Sequence, residues 1–162
     1  MYKIAICDDD LEYAKYLEEQ IIAINEQKQK LSIQLFQSGQ ELIDAMDDEI
    51  MLVILDMEME GLDGYETAKI LRETNDKFIL AFCTGIVKPE ARYYDLKVLR
   101  YIMKDDPENL IVERLKSLLN EIEKREEMRA VYFFGQGKGT FLRFDVDDII
   151  YFEHYQRKTM MI

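Results

Sequence analysis

Residues 51–64 read MLVILDMEMEGLDG. Met51–Leu55 is a continuous apolar run, and Asp56 ends it. A run this short and this apolar reads as a strand buried on both faces, as in a parallel sheet with helices on either side. Gly61 and Gly64 bracket a loop, and the spacing beyond them predicts a helix from about Tyr65 to Glu73.

The same alternation extends in both directions. Tyr2–Cys7 reads as a short buried strand stopped by Asp8-Asp9-Asp10, with Asp10 able to cap the next segment. Leu11, Ala14, Leu17, Ile21, Ile22 and Ile24 recur at helical spacing, predicting a helix through about Lys28. Leu31–Phe36 alternates as a strand, and Ser38 opens a short helix carrying Leu42, Ile43 and Met46. Phe78–Thr84 is another buried strand, and Pro89 suits the first turn of a weak helix over Glu90–Asp95. Leu99–Met103 is a fifth strand, followed by Lys104. Pro107 begins a last helix with Leu110, Leu115, Leu118, Leu119 and Ile122 on one face, able to continue to Arg129. Strand and helix thus alternate five times, which means an α/β fold with a parallel sheet. Right-handed crossovers favour the flavodoxin-like, doubly wound order 2-1-3-4-5.

Composition sets the limits. The 162 residues are 48% hydrophobic, enough for a core. No apolar run is long enough to span a membrane, and MYKIAICDDD does not resemble a secretory signal. Cys7 and Cys83 lie in apolar runs without metal spacing, which fits a reducing, cytoplasmic setting. The formal net charge is −12. Residues 130–162 carry four basic and four acidic side chains, so the whole excess lies in 1–129. Such an acidic body repels nucleic acid, leaving any DNA contact to the C-terminal part.

In the order 2-1-3-4-5 the carboxyl ends of the strands bring Asp8, Asp9, Asp56, Thr84 and Lys104 to one edge. Three adjacent carboxylates repel one another unless protons or a cation intervene. Mg²⁺ suits such oxygen ligands because it binds through one or two carboxylates and retains water. A carboxylate beside Mg²⁺ and an ammonium can attack phosphorus, forming an aspartyl phosphate.

IAICDDD, LDMEMEGLDG, the strand-ending Thr84 and YIMK together resemble the receiver domain of bacterial two-component response regulators. The resemblance covers residues 1–122. It implies Asp56 as phosphoacceptor, with Asp8, Asp9, Asp56 and the Glu58 backbone carbonyl holding Mg²⁺. It further implies Thr84 as switch hydroxyl, Tyr101 as switch aromatic and Lys104 as phosphate-binding lysine. A sensor histidine kinase would be the donor, and dimerisation a possible output. Two positions depart from the family, Glu60 and Asp105, where members usually carry proline. The second removes the residue that favours a cis peptide after the lysine, since a non-proline cis bond costs roughly 3 kcal/mol.

Beyond Met128 the helical period disappears. Val131–Phe134, Thr140–Phe144 and Ile149–Glu153 read as short strands. VDDIIYFEHYQRKTMMI resembles the opening of a LytTR-type DNA-binding domain, with only its first strands inside these residues. That resemblance implies Arg157 and Lys158 in the first DNA-contacting loop, and residues 123–129 as a helical linker. The GQGKG run at 135–139 reads as a hairpin turn, His154 as a solitary histidine, and 121–127 as a solvated helix face. Tyr93 and Tyr94 fall on the weak helix, where an interface aromatic and a half-buried one look alike. Two other functions remain open. A Mg²⁺-dependent phosphatase with an aspartyl nucleophile generally has a second Asp two residues on, where this chain has Glu58. The other is a binding module that does not depend on phosphorylation.

Overall fold

The computed structural model describes residues 1–25, 30–85, 95–134, 141–146, 152–155 and 158–161. It divides into two compact units, Met1–Ile122 and Glu123–Ile162.

In the first unit, β1 (Tyr2–Cys7), β2 (Leu31–Phe36), β3 (Ile50–Asp56), β4 (Ile79–Thr84) and β5 (Val98–Met103) form one sheet. Its order is β2-β1-β3-β4-β5 and every pairing is parallel. The helices are α1 (Leu11–Ile24), α2 (Gly39–Ala45), α3 (Gly64–Thr74) and α4 (Glu108–Arg129). The doubly wound arrangement expected from the alternation is the one found.

Side chains alternate across each strand, so each strand feeds two cores. Ile4, Ile6, Leu52 and Ile54 pack with Ala14, Leu17 and Ile21 of α1 and with Ile111, Leu115, Leu118 and Ile122 of α4. Ala5, Cys7, Val53 and Leu55 face the other way, onto Leu42 of α2 and Ala68 and Leu71 of α3. β3 and β4 are almost wholly buried, as central strands must be, whereas edge strand β2 has no fully buried residue.

Capping residues set where the helices begin. Asp10 accepts the Glu12 and Tyr13 N–H groups at α1, and Ser38 accepts Glu41 N–H at α2. At α3, Asp63 and Glu66 form a reciprocal capping box, so that helix begins at Gly64, one residue before the sequence reading. Helix α1 ends at Ile24 instead of reaching Lys28. Asn25 N–H turns back onto Ile22 O there, closing the last turn. The weak helix over Glu90–Asp95, with Tyr93 and Tyr94, lies outside the described residues except for Asp95.

The second unit begins within α4. It contains two antiparallel pairs, β6 (Ala130–Phe134) with β7 (Phe141–Asp145), and β8 (Phe152–Tyr155) with β9 (Lys158–Met161). Of the third strand expected in the tail, Phe152 and Glu153 are described, and both lie in β8. Lys158, expected in a loop, is the first residue of β9 and pairs with Tyr155. Arg157, Ile149–Tyr151 and residues 135–140 lie outside the described residues.

Candidate functional site

Asp8, Asp56 and Lys104 continue the alternation that faces α1 and α4: Ile4, Ile6, Asp8; Leu52, Ile54, Asp56; Ile102, Lys104. The chemistry therefore sits at the rim of a hydrophobic face, where carboxylates are poorly hydrated. Asp8 and Asp56 are only 1% and 2% exposed, and Thr84, in register with Met103 and one residue beyond the Cys83 that pairs with Asp56, is buried at the end of β4. Backbone bonds extend each strand end by one rung. Asp8 N–H donates to Phe36 O, Met57 N–H to Cys83 O, and Lys104 N–H to Thr84 O.

The Lys104 ammonium lies 2.8 Å from Asp56 Oδ2 and 2.8 and 3.0 Å from the two oxygens of Asp8. It also stands 5.0 Å from the centre of the Tyr13 ring, within cation–π range. Burial lowers the lysine pKa, but the pairs with Asp56 and Asp8 outweigh that and raise it above its ordinary value. The ammonium is therefore charged throughout the physiological range. Asp8 is displaced upward, first by burial and then by the neighbouring Asp56, against the lowering effect of Lys104.

Asp9 is exposed and completes a carboxylate trio. Ligand atoms of Asp8, Asp9 and Asp56 all lie within 4.8 Å of one another. Asp8 Oδ2 is buried and accepts no aligned hydrogen bond, although the ammonium is close to it. That oxygen retains a lone pair for a hard cation, so the donor set fits a metal bound through carboxylates. Glu58 N–H donates to Asp56 Oδ1 at 3.2 Å, fixing the carboxylate that ends β3. The Glu58 side chain is exposed, and its Oε2 lies near Gly85.

Tyr101 is half-buried on β5, in register with Phe82, with ring centres 5.9 Å apart. Among the described residues no peptide bond is cis, and Lys104 reaches both carboxylates with Asp105 after it. Burial pushes the Cys7 and Cys83 thiols up to about 12, so both are packing groups rather than thiolates at neutral pH.

Sequence reasoning missed Tyr13, Asp106 and Arg114. Tyr13 sits one helical turn before Leu17, and that spacing was the available signal. Nothing local marks Asp106 and Arg114, whose contacts are tertiary.

The raised pKa of Asp8 has a testable sign. The neutral form is favoured in the folded state, so the stability it confers is full below the unfolded pKa and lost as pH rises through the folded one. In metal-free buffer at pH 7, Asp8→Asn is therefore expected to melt above wild type. The gap should close in acid, where Asp8 is already neutral. Thermal melting across pH, with chelator present, checks this.

Residues 4–116 match the response regulator receiver domain family, and the chain belongs to that family. Among curated proteins, the transcriptional regulatory protein CpxR of Escherichia coli K12 is 25% identical over 130 residues, 80% of this chain and 54% of its own length. The chain therefore spans about half the length of the curated relatives it matches. The fold is similar to the response regulatory domain of protein mrkE from Klebsiella pneumoniae, with TM-score 0.66 and 21% identity, covering 75% of this chain and 98% of that one. It is also similar to response regulator TrrA from Thermotoga maritima in complex with Mg²⁺-BeF, with TM-score 0.60 and 22% identity, covering 73% and 99%.

Proposed function

We propose that this receiver accepts a phosphoryl group on Asp56 from a sensor histidine kinase and so controls transcription. The observation that carries the reading is the ammonium of Lys104 held 2.8 Å from Asp56 Oδ2, beside the carboxylates of Asp8 and Asp9. Asp8, Asp9, Asp56 and the Glu58 carbonyl would hold Mg²⁺, which supplies charge neutralisation for the incoming phosphoryl oxygens.

In the transfer, an Asp56 carboxylate oxygen attacks phosphorus. The bond from phosphorus to the donor atom breaks, and its electron pair leaves with the donor. Lys104 loses part of its ion pair with Asp56 as that carboxylate becomes an ester-like oxygen, and it follows the charge onto the phosphoryl group. Thr84 is the switch hydroxyl and Tyr101 the switch aromatic. Their movement would shift a pre-existing equilibrium of the face made by the chain before β5, β5 itself and α4. Dimerisation, or release of a LytTR-type DNA-binding domain of which residues 130–162 form the start, would be the output, with Arg157 and Lys158 toward DNA. The chain acts as a phosphoacceptor and not as a turnover enzyme, in the cytoplasm.

Intact mass after incubation with an acyl phosphate tests the reading. One phosphate-sized adduct with Mg²⁺, and none with chelator, is the expected result. No adduct under either condition would sink it and bring forward a binding module independent of phosphorylation. Steady phosphate release over many turnovers would favour the aspartyl phosphatase instead.

A further inference from the structure

Lys104 is attached to the fold through a short turn. Only Asp105, Asp106 and Pro107 separate it from α4, and Asp105 is exposed. A side chain as long as lysine amplifies any rotation of that turn, so something must hold it. Asp106 folds back on the end of β5: its N–H donates to Met103 O at 3.1 Å, and its Oδ2 accepts Met103 N–H at 3.3 Å. The same Oδ2 lies 2.7 Å from Arg114 Nη1, two turns into α4. That nitrogen also donates to Tyr101 O at 2.6 Å. One guanidinium nitrogen, with two hydrogens, thus ties the turn, the strand and the helix together. Both side chains are largely shielded, at 16% and 25% exposed, which strengthens such a pair over a surface one.

We propose that Asp106 and Arg114 are positioning residues that aim Lys104 at Asp56. They touch neither the phosphoryl group nor the metal. They fix the backbone on both sides of the lysine, at Met103 and at Asp106, and leave its ammonium in the pocket. This rests on the phosphoacceptor reading of Asp56, and two independent readouts keep the two apart.

The first readout needs no phosphate. Lys104 is acylated with an amine-reactive ester and followed by peptide mass, with exposed Lys69 on α3 as reference. In Arg114→Ala, Lys104 is expected to label several-fold faster while Lys69 keeps its wild-type rate. Arg114→Lys should fall between, since an ammonium pairs with Asp106 but lacks the planar fork. The second readout is the rate of phosphate uptake from an acyl phosphate. It should fall by about tenfold in Arg114→Ala and in Asp106→Ala, in line with misplacement of a catalytic group by about 1 Å or less.

Unchanged Lys104 labelling in Arg114→Ala would overturn the proposal, whatever the phosphate rates. So would equal acceleration at Lys69, which marks general loosening, or faster labelling with no loss of phosphate uptake. If the wild type takes no phosphate while Lys104 labelling still responds to Arg114, the clamp stands and the phosphoacceptor reading falls.

Discussion

Asp56→Asn is expected to take up no phosphate under conditions that fully modify the wild type, and to melt at or above the wild-type temperature. The two halves of that result come from different atoms. The substitution removes the anionic oxygen proposed to attack phosphorus, and an amide has no comparable nucleophile. It keeps Oδ1, which accepts Glu58 N–H, so the end of β3 stays in place. Lys104 keeps both oxygens of Asp8. Removing the Asp56 charge also relieves one of the causes that displace Asp8 upward, so the fold loses a buried like-charge repulsion. Intact mass and thermal melting in metal-free buffer check the two halves. Residual uptake would place the acceptor elsewhere. A large loss of stability would mean that the Lys104–Asp56 pair is worth more than the repulsion it offsets.

Gly64→Ala is expected to have the largest effect on stability. A Cβ at Gly64 would lie 2.2 Å from Asp56 O and 2.7 Å from Met57 Cα. Both are backbone atoms, so no rotamer change can make room. The collision falls on Asp56, the residue that carries the proposed chemistry, and Gly64 N–H also donates to Met57 O beside it. Overpacking of this kind costs about 3 kcal/mol. For a domain of this size that lowers the melting temperature by roughly 10 °C. Denaturant titration and melting measure it, and phosphate uptake at low temperature, where the variant remains folded, should also fall. Wild-type stability in Gly64→Ala would mean that the α3 start can slide away from β3.

The sheet was readable because its strands are the least ambiguous feature of the chain. Met51–Leu55 and Phe78–Thr84 have no polar residue before their last position, and a central parallel strand is the environment that demands this. Strand order then followed from handedness and not from any residue. The edge where Asp8, Asp9, Asp56 and Lys104 meet was readable for the same reason, since each falls at or just after the carboxyl end of a strand. Gly64 was read only as a loop bracket, because a steric contact with Asp56 O cannot be seen without the third dimension. Asp106 and Arg114 were invisible for a related reason. Arg114 on a charged helix looks like part of a solvated face, and only the turn of β5 into α4 brings it against Tyr101 O. The tail was least legible. The basic pair Arg157-Lys158 suggested a loop, but backbone pairing begins with Lys158, and strand periodicity in a short polar stretch carries little information.

The backbone rungs beyond β1, β3 and β5 determine how the site moves in time. Asp8, Met57 and Lys104 are each tied by a main-chain bond of 2.9–3.1 Å to a neighbouring strand or to its end. The Met57 rung joins the central strands β3 and β4, the most buried part of the fold, which in a cooperative domain opens only with the whole, whereas the Asp8 and Lys104 rungs involve the edge strands β2 and β5. Asp56 is therefore mounted on the slowest-opening part of the chain, while Lys104 is carried by an edge strand. Fraying at the β5 edge can come and go while Asp56 stays in place, so the lysine is the partner whose alignment varies first.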